Sequence, residues 1–234
     1  MGITRMKAII LCGGFGSRLR NVIGETQKAV AEVDGKPFLH IVIGNLLSAG
    51  LNELIFCTHY QSEQVETALA ELGGDVARQA TVLREQEPMG TGGAILNAIQ
   101  VLGMRGDFIA LNADTYVMAE AYRLARESTP PSLIVREVED CARFGSVSFD
   151  DSGKVLEVNE KGVTGPGFIS MGIYHFHTDD LTGFPTAACS LEKDILPQLV
   201  ERGQLRARRY SGDFIDIGTP QSLASIREMN FNRA

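Results

Sequence analysis

Short apolar runs alternate with segments of helical periodicity along the first half of the chain. The runs predict buried strands at 7–12, 53–58, 80–84 and 107–112, and the periodic segments predict helices at 38–49, 62–72 and 92–102. Strands that alternate with helices in this way are typical of βαβ units. The pattern therefore predicts an α/β fold with a doubly wound, mostly parallel sheet that helices cover on both faces.

The pattern changes beyond residue 130. Strand-like segments at 132–138, 145–149, 155–159 and 168–176 follow one another with few helices between them, and helical segments return at 191–202 and 221–230. Strands without intervening helices favour antiparallel pairing. We expect a mixed or antiparallel section added to the parallel sheet, within one domain that spans 1–234.

Composition narrows the classes of function. The chain has 234 residues and a formal net charge of −7, with no Lys/Arg run to offset it, which argues against a nucleic-acid partner. No apolar run approaches the ~18–20 residues of a membrane span and no signal peptide is visible, so we expect a cytoplasmic protein without membrane contact. The four cysteines are scattered without a C-x-x-C pair, which argues against a zinc site.

A glycine-rich loop directly follows the first predicted strand. Because glycine has no Cβ, such loops place backbone N–H groups against phosphates, and an arginine adds a charge-assisted contact. The loop lacks the lysine of a Walker motif and the third glycine of a dinucleotide fingerprint, and a plain tight turn is the alternative interpretation. Its pattern predicts a nucleotide site that includes Leu11, Gly13, Gly14, Gly16, Ser17 and Arg18.

The sequence GGFGSRL at 13–19, followed by QKAV at 27–30 and GKPFL at 35–39, resembles the opening of the sugar-1-phosphate nucleotidylyltransferases. These enzymes join a nucleoside triphosphate to a sugar 1-phosphate and release pyrophosphate. The family usually has proline before its lysine and often after it, whereas this chain has Gln27 and Ala29 around Lys28. The resemblance implies a Rossmann-like nucleotidyltransferase core, with a nucleotide-binding part at about 1–130 and a sugar-phosphate-binding part at about 131–234.

A second motif, EQEPMGTGGA at 85–94, follows another predicted strand. In the family, this segment frames the nucleotide base, which implies binding roles for Glu85, Pro88, Gly90 and Thr91. The glycines allow a close approach before the helix begins. The Glu85 carboxylate can accept from both N1–H and the amino group of guanine, a donor pair that uracil lacks, and so favours GTP. The alternative is an ordinary βα loop in which Thr91 caps the helix.

Two aspartates match the positions of the family's metal pair. Asp114 follows Asn112 at the end of a predicted strand, and Asp216 lies between two isoleucines, where a charge needs a partner or a cation. Mg²⁺ usually takes one or two protein carboxylates and completes its shell with phosphate oxygen and water. The resemblance implies Mg²⁺ held by Asp114 and Asp216, with Asn112 beside the nucleotide. The alternative for Asp114 is a cap of the next helix.

Three later segments resemble the part of the family that binds the sugar phosphate. They imply that Gly145 and Gly172 line the sugar, that Glu160 accepts its hydroxyls and that Lys161 holds its phosphate. Taken singly, each segment is more often a turn, a surface ion pair or a strand, but their order and spacing support them together. The segment SLEKD at 190–194 also resembles the family, without an assigned role.

The resemblance implies catalysis by positioning and charge neutralisation, without a protein nucleophile. Arg18 would hold the leaving phosphates of the nucleotide, and Lys28 would hold its α-phosphate. Within the family, the chain looks most like D-glycero-α-D-manno-heptose 1-phosphate guanylyltransferases. These enzymes make GDP-heptose for surface polysaccharides such as capsule and lipopolysaccharide. The alternatives are a mannose 1-phosphate guanylyltransferase, an N-acetylmuramate 1-phosphate uridylyltransferase and a non-catalytic sensor of nucleotide sugars. The oligomeric state stays open, with a homodimer as one option.

Overall fold

In the computed structural model, which describes residues 6–14, 16–229 and 231, strands from both halves of the chain pair into one mixed sheet. Its main path runs in the order β10-β9-β11-β6-β1-β4-β5, with β8 joined to β11 and β12 joined to β8, and two short ribbons pair β2 with β3 and β7 with β13. The strands are β1 (Lys7–Leu11), β2 (Glu32–Val33), β3 (Lys36–Pro37), β4 (Glu53–Thr58), β5 (Ala80–Arg84), β6 (Asp107–Asn112), β7 (Thr115–Val117), β8 (Ser132–Val138), β9 (Ser146–Phe149), β10 (Val155–Asn159), β11 (Gly167–His177), β12 (Arg206–Arg209) and β13 (Phe214–Asp216).

Helices cover both faces of this sheet. They are α1 (Arg20–Ile23), α2 (Phe38–Ser48), α3 (Ser62–Leu72), α4 (Gly74–Gln79), α5 (Gly90–Val101), α6 (Ala119–Glu127), α7 (Leu196–Glu201) and α8 (Pro220–Arg227). No helix within the described ranges is both long and apolar enough to cross a bilayer.

The central strand β1 is buried on both faces, because successive side chains point to opposite sides of the sheet. Ile10 packs into one apolar cluster with Phe38 of α2, and Ile9 packs into the other with Ile95 of α5. Each of these side chains is inaccessible to solvent, and burying one contributes about 1.5–3 kcal/mol to folding. This two-sided core confirms the α/β fold class that the sequence predicts.

The parallel part of the sheet determines where a ligand can bind. Strand β1 pairs parallel with β4 and β6, and β4 pairs parallel with β5. Their carboxyl ends therefore lie along one edge, where ligands of open α/β sheets bind. The glycine loop after β1, the loop after β5 and the turn after β6 all start at this edge.

Strand β11 joins the added section to the parallel core. It runs antiparallel to β6 on one side and to β8 on the other. Its register with β8 shifts between Ser170 and Tyr174, and Gly172 inside this bulge has a φ of 68°. The bulge bends the strand next to the carboxyl end of β6, which opens space beside that edge.

Several elements differ from those that the pattern predicts. The helix predicted at 191–202 begins with a π-helical turn (Leu191–Ile195) before α7. The helix predicted at 221–230 is α8, which begins one residue earlier and ends at Arg227; Asn230 lies outside the described residues. Helix α6 was missed because its buried positions are mostly alanines, which give a weak apolar signal. The strands of the β7–β13 ribbon are too short for a period-2 pattern.

The segment 187–191 crosses the first turn of α5 at close range. A Cβ on Gly90 or on Gly93 would lie 2.5 Å from a carbonyl oxygen of this segment, and one on Gly92 would lie 2.8 Å from Cys189 Sγ. The N–H groups of Gly92 and Gly93 both donate to the Cys189 carbonyl, at 3.0 and 3.2 Å. The glycines of this motif are therefore required by the crossing of another part of the chain, and not only by a ligand.

We expect Gly93→Ala to destabilise the protein by about 1–3 kcal/mol, because the new methyl group would overlap backbone and neither side can move freely. Chemical denaturation of the purified variant measures the loss.

Gly44→Ala is the matched control. Gly44 lies in α2, is exposed, and has open space where a Cβ would stand. This substitution should stabilise the protein by about 0.5–1 kcal/mol, since alanine has the higher helix propensity. Equal stability of the two variants would contradict the tight crossing.

Candidate functional site

A cavity of about 380 Å³ opens at the carboxyl edge of the parallel strands. Its wall brings together most of the residues that the sequence assigns to the nucleotide, along with the predicted catalytic lysine and one of the two aspartates. These are Leu11, Gly13, Gly14, Lys28, Glu85, Pro88, Gly90, Thr91, Asn112 and Asp114. Among the described residues, Gly16, Ser17 and Arg18 do not line it, and Arg18 is exposed on the short 3₁₀ turn that follows the loop.

The start of the glycine loop is held by its neighbouring strands. The Cys12 N–H donates to the Cys57 carbonyl at 2.8 Å, and the Ala113 N–H donates to the Leu11 carbonyl at 3.2 Å. Within the described part of the chain, the N–H groups of Gly13 and Gly14 have no protein acceptor. Both glycines line the cavity, so these donors are available to an anion.

Gln27 fixes the turn that carries Lys28. Its buried side chain donates to the Cys12 carbonyl and accepts from the Ala29 N–H, both at 2.5 Å, and its own N–H donates to Gln64 Oε1 at 2.8 Å. The family's proline would restrict the backbone at this position. Here glutamine does so through hydrogen bonds that tie the lysine turn to the end of β1.

Lys28 forms an ion pair with Oδ2 of Asp114. The two side chains are 14% and 29% exposed, so the pair is better shielded from solvent than a surface ion pair. A Cβ on Gly218 would lie 3.3 Å from Lys28 Nζ and closer still to Oδ1 of Asp216. The second aspartate therefore lies near the same ammonium group, although among the described residues only Asp114 pairs with it directly.

The β7–β13 ribbon brings the two aspartates together. Strand β7 begins directly after Asp114, and its first residue, Thr115, lies opposite Asp216 in the antiparallel ladder. The Ile217 N–H donates to the Asp114 carbonyl at 3.0 Å, and the Gly218 N–H donates to Oδ1 of Asp216 at 2.7 Å. These bonds bring together two aspartates that are far apart in the sequence, and the second bond also holds the Asp216 carboxylate.

This donor set suits a metal ion that is shared with a ligand. Within the described residues, no group of three or more His, Cys, Asp or Glu side chains could hold a metal ion. Two carboxylates fit Mg²⁺, which completes its shell with phosphate oxygen and water. The residues therefore fit a metal bound together with phosphates.

Glu85 lines the side of the cavity formed by the loop after β5 and is buried. Its Oε2 accepts the Met89 N–H at 3.0 Å, which shapes the loop after β5, and its carbonyl contacts Nδ1 of His59 at 3.1 Å. The pKa of the Glu85 carboxyl is raised, because burial raises it by more than the Met89 N–H and the His59 ring lower it. One carboxylate oxygen shapes the loop, and Oε1 is left for a donor pair such as that of guanine.

The structure contradicts both helix-cap alternatives. Helix α6 begins at Ala119, beyond the reach of Asp114, and α5 begins at Gly90, before Thr91. The Thr91 hydroxyl instead accepts the Leu191 N–H at 2.8 Å and donates to Oε2 of Glu192 at 2.7 Å. Thr91 therefore connects the start of α5, after the EQEPMGTGGA motif's loop, to the segment that crosses it by two hydrogen bonds.

The floor of the cavity carries two neutral thiols. Cys12 and Cys57 are buried, and burial raises the pKa of each thiol well above its usual range. Neither can serve as a thiolate nucleophile near neutral pH.

A second cavity, of about 270 Å³, adjoins the first and shares Asn112 with it. At Gly172 a Cβ would overlap the side-chain amide of Asn112, so the bulge in β11 lets this amide form the boundary between the two cavities. The wall of the second cavity includes every residue that the sequence assigns to the sugar phosphate, and the second aspartate. These are Gly145, Glu160, Lys161, Gly172 and Asp216.

Aromatic and charged side chains form the rest of this wall. Phe144 and Phe214 pack edge to face with ring centroids 5.7 Å apart. Glu160 pairs with Lys193 at 3.1 Å, and both side chains are more than half exposed, as in a surface ion pair. Glu160 thus has a second partner besides any sugar hydroxyl.

Glu192 is a site residue that the sequence left without a role. It lies in the π-helical turn and lines the second cavity. Such turns are frequent at functional sites. The SLEKD segment was the available signal, but no local pattern could identify the side chains that Glu192 contacts.

Comparison with known proteins agrees with this geometry. The family model described as Nucleotidyl transferase matches residues 7–231. The D-glycero-alpha-D-manno-heptose 1-phosphate guanylyltransferase of Aneurinibacillus thermoaerophilus is 31% identical over 92% of this chain and 94% of its own length. The Mannose-1-phosphate guanylyltransferase catalytic subunit beta of Xenopus tropicalis is 30% identical over 92% of this chain and 62% of its own length.

The fold is also similar to solved structures. HddC from Yersinia pseudotuberculosis superposes with a TM-score of 0.82 at 31% identity, covering 95% of this chain and 98% of HddC. The same protein complexed with GMP-PN superposes with a TM-score of 0.80 at 29% identity over the same shares. The family model spans nearly all of the chain, and the fold and the paired cavities agree with it, so the chain belongs to the nucleotidyl transferase family.

Proposed function

We propose that the protein is a sugar-1-phosphate guanylyltransferase, which transfers GMP from GTP to a sugar 1-phosphate and releases pyrophosphate. The observation that carries this proposal is the junction of the two cavities. Lys28 and Asp114 lie in the wall of one cavity, Asp216 lies in the wall of the other, and Asn112 belongs to both. Two phosphorylated substrates in these cavities would meet at this cluster of charges.

The reaction needs no protein nucleophile. A phosphate oxygen of the sugar 1-phosphate, already an anion at neutral pH, forms the new bond to the α-phosphorus, and the bond to the β-phosphate oxygen breaks. Lys28 neutralises charge that builds up on the α-phosphate, and the N–H groups of Gly13 and Gly14 hold phosphate oxygens. Arg18 holds the leaving pyrophosphate when its exposed side chain turns toward the cavity.

Asp114 and Asp216 would hold Mg²⁺ in this reaction. The metal would supply charge neutralisation to the phosphates of both substrates. The chain itself contributes the two carboxylates, held in place by the ribbon, and the Asn112 amide that separates the nucleotide from the sugar.

Within this class, we propose D-glycero-α-D-manno-heptose 1-phosphate as the sugar substrate. The heptose-specific relative matches this chain over 94% of its length, whereas the mannose-specific relative is matched over 62%. Mannose 1-phosphate is the alternative substrate, since the two relatives are similar to this chain to nearly the same degree.

The proposal is tested by measuring pyrophosphate release with Mg²⁺ for every pairing of GTP, UTP, CTP, ATP and dTTP with heptose, mannose, glucose and N-acetylmuramate 1-phosphates. We expect release only with GTP, and fastest with the heptose phosphate. Release with GTP and mannose 1-phosphate alone would correct the sugar. A folded protein that binds nucleotide but shows no turnover with any pair would favour a sensor.

Lys28→Ala should lower kcat at least ~10²-fold, in the range for loss of one preorganised charge contact. Lys36→Ala, which removes an exposed lysine at the start of β3, is the control and should keep normal kcat. Steady-state kinetics with saturating GTP measures both. Near-normal turnover of the Lys28 variant would remove this lysine from the mechanism.

Glu85→Gln should abolish most of the preference for GTP over UTP. The amide oxygen can still accept the Met89 N–H, so the loop keeps its shape, but the amide NH₂ then faces the donor pair of guanine. The ratio of kcat/KM for the two nucleotides measures the effect. A preference that stays within about threefold of wild type, or about 0.6 kcal/mol, would show that Glu85 does not select the base.

A further inference from the structure

The second cavity carries an excess of negative charge. Glu160, Glu192 and Asp216 line it, against the single cation Lys161 among the described residues of its wall. Glu160 is paired with Lys193, and Asp216 lies near the ammonium group of Lys28, across Gly218. Glu192 differs from both, because the partners of its carboxylate in the described part of the chain are neutral hydroxyl groups, without a cation.

Three hydroxyl groups hold the carboxylate of Glu192. Thr91 and Ser190 donate to Oε2 at 2.7 and 3.1 Å, and the Tyr174 hydroxyl donates to Oε1 at 3.3 Å. A carboxylate offers about four acceptor positions, so one position on Oε1 is left for another donor. Glu192 shares the cavity wall with Ser170 and Tyr174, whose hydroxyls are 3.2 Å apart.

The surroundings of Tyr174 and Glu192 determine which of the two donates a hydrogen bond and which accepts one. Burial, reinforced by the charge of Glu192, raises the pKa of the Tyr174 phenol well above its usual range. The phenol is therefore a permanent donor to Glu192, and the carboxylate is the group that can accept from a ligand. The hydrogen bond from Thr91 also links this wall to the first turn of α5, and it holds the Glu192 carboxylate in position.

We propose that Glu192 is a specificity-determining residue that accepts a hydrogen bond from a sugar hydroxyl and excludes sugars that carry a carboxylate. The inference rests on the proposed function, because it concerns the sugar that the second cavity takes. An unpaired carboxylate on the wall attracts a hydroxyl and repels a like charge at contact distance. The sugar class is thus a neutral polyhydroxylated ring, such as a hexose or a heptose, and not an acidic sugar such as a uronate or N-acetylmuramate.

The test compares two ligands that differ by one carboxylate, mannose 1-phosphate and mannuronate 1-phosphate. Isothermal titration of the full chain with Mg²⁺ gives the dissociation constant of each. We expect wild type to bind the neutral sugar at least about tenfold more tightly, because the carboxylate of mannuronate would meet the like charge of Glu192. Glu192→Gln should reduce this ratio at least about threefold, with little change in the dissociation constant of GTP.

Two further variants separate charge from packing. Tyr174→Phe removes a donor but leaves the charge of Glu192, so its ratio should stay close to that of wild type. Glu201→Gln neutralises a carboxylate in the last turn of α7, outside both cavities, and should change nothing.

The outcomes distinguish this inference from the proposed function. GMP transfer with a neutral sugar, together with equal binding of the two ligands by wild type, would overturn the role of Glu192 and leave the function standing. An unchanged ratio in Glu192→Gln, or an equal loss of GTP affinity in that variant, would overturn it as well. Failure of wild type to bind either sugar phosphate would overturn both proposals.

Discussion

The hydrogen bond from the Ile217 N–H to the Asp114 carbonyl is the contact on which the candidate site depends. It joins the turn after β6 to a segment about a hundred residues later in the chain, and it places Asp216 beside the Lys28–Asp114 pair. Without this contact the two cavities would have no charged boundary in common. Two carboxylates near one ammonium group leave a negative excess, which favours a metal ion that arrives with phosphates.

The second organising contact is the crossing of α5 by the segment 187–191. Its backbone accepts the N–H groups at the start of α5, and its neighbour Glu192 receives the Thr91 hydroxyl. The first turn of a helix commonly binds an anion through free N–H groups. In this chain two of these donors, the N–H groups of Gly92 and Gly93, are used within the protein and are not free for a ligand.

The sequence predicted the sheet well because each central strand is an apolar run bounded by turn residues. The bounds of β4, β5, β6, β8 and β10 agree with the prediction to the residue. Most residues that the motifs assign to the nucleotide, and all that they assign to the sugar phosphate, line the two cavities, whereas Gly16, Ser17 and Arg18 do not. The β7–β13 ribbon and the surroundings of Glu192 could not be predicted, because both depend on partners that are remote in the chain.

The glycines that receive the segment 187–191 also constrain how this enzyme can evolve or be redesigned. The loop after β5 and the segment 187–191 are closely packed against each other, so a side chain added to one would displace the backbone of the other. A loop transplanted from a relative would need its own crossing segment to pack. The loop after β5 and the segment 187–191 therefore form one structural module, which redesign has to exchange as a whole.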